Sequence, residues 1–451
     1  MAKIKTVYVC SACGATAPKW QGQCADCSAW NTLTESQPLA PQAVRSAGYA
    51  GSVGDVRRLS EVEDQPEQRI DTGLTELDRV LGGGLVSGSV ILIGGDPGIG
   101  KSTLLLQAGA VLSATLSTLY VSGEESLRQI GLRARRLGLG DVDLNLLAET
   151  CVEKIVAEAV ARRPGVLVVD SIQTMYSDAL QAAPGTVSQL RECAAQLVRL
   201  AKLSGTAVFL VGHVTKEGVI AGPRVLEHMV DTVLYFESDA GSRYRIVRAA
   251  KNRFGAANEI GVFAMTDQGL KEVRNPSAIF LSHHSHAVSG SAIMVSREGS
   301  RPLLVEVQAL ASDTSGNPRR VAVGLEPNRL VMLLAVLARH GNIPIGGQDV
   351  FINVVGGVRI TETAADLPLL LAVLSSYRDR PLEGVGVAFG EVGLAGEIRP
   401  VPFGEERLLA AAKHGFKRAI VPRANAPRKA IEGMEVMPVD SLTQALELAA
   451  N

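Results

Sequence analysis

The sequence predicts an α/β protein in three folded parts. These are a small N-terminal metal unit, a central, mainly parallel sheet covered by helices on both faces, and a C-terminal α+β region. Three observations predict it. Four cysteines stand as two CxxC pairs within the first thirty residues. Continuous apolar runs at Val90–Gly94, Thr118–Ser122, Val166–Asp170 and Ala207–Gly212 are separated by helical stretches rich in Ala, Leu, Glu and Arg, the pattern of parallel strands buried on both faces. Beyond about residue 274 the elements are more mixed.

At 451 residues the chain is too long for one ordinary core. Its 46% apolar and 20% charged residues are those of a globular protein. Mean hydropathy is +0.17, yet the longest apolar runs, Leu330–Ala338 and Leu367–Leu374, fall short of the ~20 residues that span a bilayer. The start, MAKIKTVYVC, lacks the apolar stretch of a secretory signal, so a cytoplasmic protein with no membrane partner is expected. A net charge of −1 excludes a globally basic nucleic-acid binder but not a local basic patch.

Residues 1–30 form the metal unit. In Cys10-x2-Cys13 and Cys24-x2-Cys27 each knuckle aims two thiolates at one point, and two knuckles make the tetrahedral cage that suits Zn2+. Disulfides are disfavoured without a secretion signal. So short a segment buries too little to fold alone, so zinc binding should be coupled to its folding. Cys151 and Cys193 read as ordinary buried residues in helical contexts. Residues 31–68, rich in Ser, Pro, Gln and Gly, read as a linker with one short element near Val56–Val62.

Residues 69–274 form the sheet domain. Gly95, Asp96, Pro97, Gly98, Ile99, Gly100, Lys101, Ser102 and Thr103 fit GxxxxGK[ST], between a buried strand and the helix Ser102–Leu112. The glycines let backbone N–H groups converge on phosphates, Lys101 supplies charge to the β- and γ-phosphates, and the Ser102 hydroxyl suits Mg2+. ATP with Mg2+ is therefore the expected ligand. Asp170, ending the strand VLVVD, is the natural second Mg2+ group; alone it also reads as a helix cap. Glu124 and Glu125 follow the strand TLYVS. Either carboxylate suits polarising a water; Glu124 is favoured for that and Glu125 for helix capping. His213 follows the strand AVFLVG and suits sensing the γ-phosphate, or is simply a satisfied histidine. The polar, Gly-rich loop Thr215–Pro223 suits substrate contact. Lys251 and Arg253, two apart in a strand-like segment, point the same way. They suit fingers on a neighbouring subunit's γ-phosphate, DNA phosphate contacts, or a solvated charge run.

Residues 275–451 carry the third part. Helices are expected at Leu330–His340, Asp366–Tyr377, Glu405–His414 and Leu442–Ala450, with strands at Val350–Val355, Val385–Phe389 and Ala419–Val421. His283, His284 and His286 lie in the junction, as a polar loop or a second metal site.

Together the four-Cys unit, the segment Thr72–Gly84, the GDPGIGKST loop, the KNRFG cluster at Lys251–Gly255 and the C-terminal region resemble the bacterial RadA (Sms) family over essentially the whole chain. The resemblance implies a zinc finger, a RecA-like P-loop ATPase core and a Lon-protease-like C-terminal domain. It implies a DNA-dependent ATPase of recombinational repair, working as a homohexamer on single-stranded and branched DNA, with a recombinase as candidate partner. It places Lys251 and Arg253 near a subunit interface. In the Lon-like region Ala365 occupies the position of the nucleophilic serine and Glu405 that of the lysine base. A methyl and a carboxylate offer neither role, so no protease activity is expected. Arg319 and Arg320 are candidate DNA contacts there. The alternatives are an ATP-dependent protease, opposed by Ala365 and Glu405, and a KaiC-like signalling ATPase, opposed by the zinc unit and the Lon-like region.

Overall fold

The computed structural model describes residues 7–36 (except 14 and 18), 58, 68–213, 225–238, 243–281 and 288–449 (except 315 and 358). Val56–Val62 except residue 58, the loop Thr215–Pro223 and the three junction histidines lie outside the described residues. The chain divides into two compact units, Met1–Val273 and Arg274–Asn451.

The N-terminal ribbon has three antiparallel strands, β1 (Val7–Cys10), β2 (Thr16–Ala17) and β3 (Leu33–Ser36), with β1 in the middle. Among the described residues its buried apolar side chains are Cys10, Cys24 and Leu33. β3 pairs with β1 over four residues and extends the ribbon past residue 30.

The sheet domain runs β4 (Arg69–Ile70), α1 (Thr75–Leu81), β5 (Leu85–Val86), β6 (Val90–Gly95), α2 (Lys101–Leu112), β7 (Thr118–Ser122), α3 (Leu127–Arg136), β8 (Asn145–Ala148), α4 (Val152–Arg162), β9 (Val166–Asp170), α5 (Val187–Ser204), β10 (Ala207–Val211), α6 (Val225–Met229), β11 (Thr232–Glu237), β12 (Tyr244–Asn252), β13 (Ile260–Thr266) and β14 (Gly269–Glu272). Nine strands form one sheet in the order β14-β13-β12-β11-β6-β10-β9-β7-β8. From β11 to β8 neighbours run parallel; β12, β13 and β14 extend it antiparallel.

Side chains alternate across a strand, and the apolar runs are continuous because both faces are covered. Ile91, Ile93, Tyr120, Val168 and Phe209 join one core with Leu104 and Leu105 of α2. Val90, Leu92, Val121, Val169 and Leu210 join the other with Leu190 and Leu197 of α5.

The second unit contains β15 (Ser291–Glu298), β16 (Arg301–Asp313), β17 (Arg320–Val323), α7 (Pro327–His340), β18 (Gln348–Val354), α8 (Asp366–Arg378), β19 (Val387–Ala388), β20 (Glu391–Val392), β21 (Ile398–Arg399), α9 (Gly404–Lys413), β22 (Arg418–Pro422), β23 (Glu435–Val439) and α10 (Leu442–Leu448). Its seven-stranded mixed sheet has the order β17-β18-β16-β15-β19-β22-β23. α8 and α9 both pack against the long β15–β16 hairpin.

Candidate functional site: the carboxyl edge of the parallel sheet

β6, β7, β9 and β10 all end at the same edge. A crevice beyond the carboxyl ends of parallel strands is where such sheets hold ligands, and it is here that the sequence places its polar residues.

The loop after β6 bends through left-handed backbone at Gly98 (φ +75°) and Gly100 (φ +123°). A side chain at Gly100 would come 2.9 Å from Met265 Cε, whereas a Cβ at Gly98 would meet nothing within 4 Å. The loop is thus pinned at its base and open at its crest, a cradle that leaves room for phosphates. Ile99 anchors it in the core, and Arg245 Nε donates to Ile99 O at 3.0 Å. Asp96, Pro97 and Gly98 are exposed, while Ser102 and Thr103 are half-buried on the first turn of α2.

Lys101 is buried. Its ammonium donates to Gly95 O at 2.6 Å and Asp96 O at 2.9 Å, and lies 3.4 Å from His213 Nδ1. Burial holds its pKa below the ordinary lysine value, against the pull of Asp170, Glu124 and Asp96. His213 Nε2 is 3.0 Å from Glu124 Oε1, and Ser171 Oγ donates to the same oxygen. Burial pushes the Glu124 carboxyl up, but Ser171, His213 and Lys101 more than offset this and hold it below the usual range. Asp170 is buried at the end of β9, and Tyr120 Oη donates to its Oδ2 at 2.5 Å. A lysine, two carboxylates and a histidine thus gather from four strands.

Glu125 has a different role from the helix cap expected of it. Its carboxylate pairs with Arg133 at 2.7 Å. The cap of α3 is Ser126, in a reciprocal capping box with Gln129.

Lys251 and Arg253 do not join this cluster. Phe236 pairs with Gly95, but Lys251 faces Val233, which faces Leu92. Three residues of strand, about 10 Å, separate those positions along β6, so the pair sits toward the sheet's other end. Lys251 Nζ donates to Glu227 O at 2.7 Å and Val230 O at 2.8 Å. Arg253 is over half exposed and reaches Asp231 at 3.2 Å. The buried Asp231 also takes Lys202 at 2.7 Å and the backbone N–H of Val90 at 3.0 Å. Sequence reasoning missed Asp231, Ser171, Arg245 and Tyr120; none sits in a recognisable spacing.

In the ribbon, Cys10 and Cys27 Sγ lie 3.6 Å apart and Cys13 and Cys24 Sγ 3.5 Å apart, with all four sulfurs within 4.8 Å of one another. Zn–S bonds of about 2.3 Å in a tetrahedron put the sulfurs about 3.8 Å apart, so the four thiols fit Zn2+. Cys151 and Cys193 are buried as expected.

In the second unit Ala365 is buried just before α8, and Glu405 is exposed in the first turn of α9. Arg319, its side chain largely exposed, and Arg320 both make partners within the second unit. Arg319 grips Asp349 through two bonds of 2.7 and 2.9 Å, and Arg320 donates to the carbonyls of Gln348, Ile345 and Gly346. No helix among the described residues is long and apolar enough to cross a membrane.

Residues 56–219 match the model of an AAA domain, 8–35 that of a rubredoxin metal binding domain, and 334–425 that of subunit ChlI of Mg-chelatase. Over 450 residues the chain is 61% identical to the DNA repair protein RadA of Pseudomonas aeruginosa, covering 99% of each. It is 58% identical to the protein of that name from Escherichia coli, covering 98% of each, and 50% identical to that from Bacillus subtilis, covering 99% of each. A solved ATPase domain covers 47% of this chain and 93% of its own, with a TM-score of 0.41 and 15% identity. The chain has the zinc ribbon, RecA-like P-loop ATPase fold and Lon-like C-terminal domain that the resemblance implied; its ligands are ATP, Mg2+ and Zn2+.

Proposed function

This chain belongs to the RadA family of DNA repair proteins, and from that premise we propose that it is a DNA-stimulated ATP-hydrolysing motor that processes recombination intermediates. The observation that supports this best is the chain Lys101–His213–Glu124, which joins the phosphate-binding lysine to the favoured water-activating carboxylate through one imidazole. In this reading Gly95–Thr103 hold the triphosphate by backbone N–H groups and Lys101 leaves its carbonyl partners for the phosphates. Ser102 and Asp170 hold Mg2+, which when bound neutralises charge on the phosphates. Glu124, kept ionised by its neighbours, orients and deprotonates water. His213 exchanges its contact with Lys101 for one with the terminal phosphate, and so reports hydrolysis to the loop Thr215–Pro223, which grips single-stranded DNA.

Lys251 and Arg253 complete the site of an adjoining subunit. Their distance from the cradle of their own chain opposes action in cis; in this reading they act in trans, in a homohexameric ring. The functional layout is a zinc finger expected over 1–30 whose ribbon runs on to Ser36, a linker from there to 68, the motor over 69–274 and a non-proteolytic Lon-like domain over 275–451.

Strand separation or branch migration by the parent, Lys101→Ala and Arg253→Ala tests this. Both variants should bind single-stranded DNA, with the steep salt dependence of phosphate contacts, and stall. Normal unwinding by both would overturn the motor reading.

A further inference from the structure

Tyr120 has no part in the scheme above, yet it touches one of its central groups. β7 and β9 run parallel with Tyr120 opposite Val168 and Ser122 opposite Asp170. Tyr120, Val168 and Asp170 therefore point to one face of the sheet, the face covered by α2. Two residues of strand span about 6.6 Å, close to the reach of a phenol, and the hydroxyl arrives at Asp170 Oδ2 at 2.5 Å. The ring is fully buried in the core. Packing alone would be served by phenylalanine; a hydroxyl carried into such a place costs stability unless it makes a hydrogen bond.

We propose that Tyr120 is a positioning residue for the magnesium site: by holding Oδ2 it fixes the rotation of the Asp170 carboxylate in the orientation that serves the ion. Mg2+ demands near-ideal octahedral geometry, and a carboxylate free to rotate presents it less often. Partners behind a metal-binding group typically change metal affinity by about 10- to 100-fold. This rests on the reading of Asp170 as a magnesium group.

The experiment measures binding of a fluorescent ADP analogue to the full-length protein as Mg2+ is titrated, beside binding in EDTA. The proteins are the parent, Tyr120→Phe, Asp170→Asn and the double variant. Tyr120→Phe should leave metal-free nucleotide affinity within about twofold of the parent and raise the half-saturating Mg2+ concentration about tenfold. In the Asp170→Asn background the same change should add nothing. The proposal is overturned if Asp170→Asn shifts the Mg2+ curve and Tyr120→Phe does not. It is equally overturned if Tyr120→Phe weakens metal-free binding as much as metal-bound binding, or if its effect persists undiminished beside Asp170→Asn. An Asp170→Asn protein with an unshifted curve would instead remove the magnesium assignment on which it rests.

Discussion

Each side chain at the carboxyl edge is set by its neighbours. The Lys101 ammonium is buried against two loop carbonyls and a histidine, so removing it strips the cradle of its fixed positive charge. Lys101→Ala should lower ATP affinity by about tenfold or more, as measured by equilibrium binding. Glu124→Gln keeps the shape but not the base. It should bind ATP normally and hydrolyse it roughly 10²- to 10³-fold more slowly in single turnover. Because Ser171, His213 and Lys101 hold the Glu124 pKa below the ordinary carboxylate range, the base stays ionised above that range. Protonation of Glu124 should therefore not set the acid limb of hydrolysis above about pH 5. The loop residues were legible in the sequence because phosphate binding by backbone needs glycines at fixed spacing. Tyr120 and Ser171 were not. A tyrosine inside TLYVS looks like any core residue, and the significance of a serine after Asp170 appears only when β7 places Glu124 beside it.

At the scale of elements, the parallel strands were legible because burial on both faces makes them apolar without interruption. β12 escaped in part because its run is interrupted: within Tyr244–Asn252 only Val247 and Ala249 are buried, and Arg245, Arg248 and Lys251 break the apolar stretch. In α1, burial first and the neighbouring Asp71 second push Asp78 up to about 6, against the hydrogen bonds from Thr72. A folded-state pKa above the unfolded value of about 3.9 means the group destabilises the fold at neutral pH and stops doing so as pH falls from about 6 to 4. Asp78 is only half buried, so solvent screening reduces the effect to about 1 kcal/mol. Asp78→Asn should be more stable than the parent by about that amount at about pH 7.5, and the gap should close by about pH 4 in paired denaturation curves. The zinc ribbon gives a second test. Among the described residues its buried apolar side chains are two cysteines and one leucine, so metal removal should unfold it. The chain's only two tryptophans, Trp20 and Trp30, both stand on the ribbon and flank Gly22. A zinc-selective chelator, with Mg2+ kept in excess, should therefore change tryptophan emission while leaving ATP binding in place.

The whole molecule poses the question a single chain answers only by exclusion, namely where Lys251 and Arg253 act. Their strand position, near the start of β6 rather than its end, keeps them from their own cradle. A site built from two subunits makes a quantitative prediction. Lys101→Ala destroys the cradle and spares the finger; Arg253→Ala does the reverse. Each alone should hydrolyse almost no ATP. Mixed in equal amounts and allowed to exchange, the two variants meet at head-to-tail interfaces, and roughly one interface in four pairs an intact cradle with an intact finger. If interfaces fire independently, the mixture should regain up to about a quarter of parental ATPase activity. If Arg253 served its own chain, no subunit in the mixture would be whole and activity would stay at the level of the separate variants. Recovery below a quarter but above that floor still requires trans action, and its shortfall measures how far the ring needs neighbouring sites to fire together.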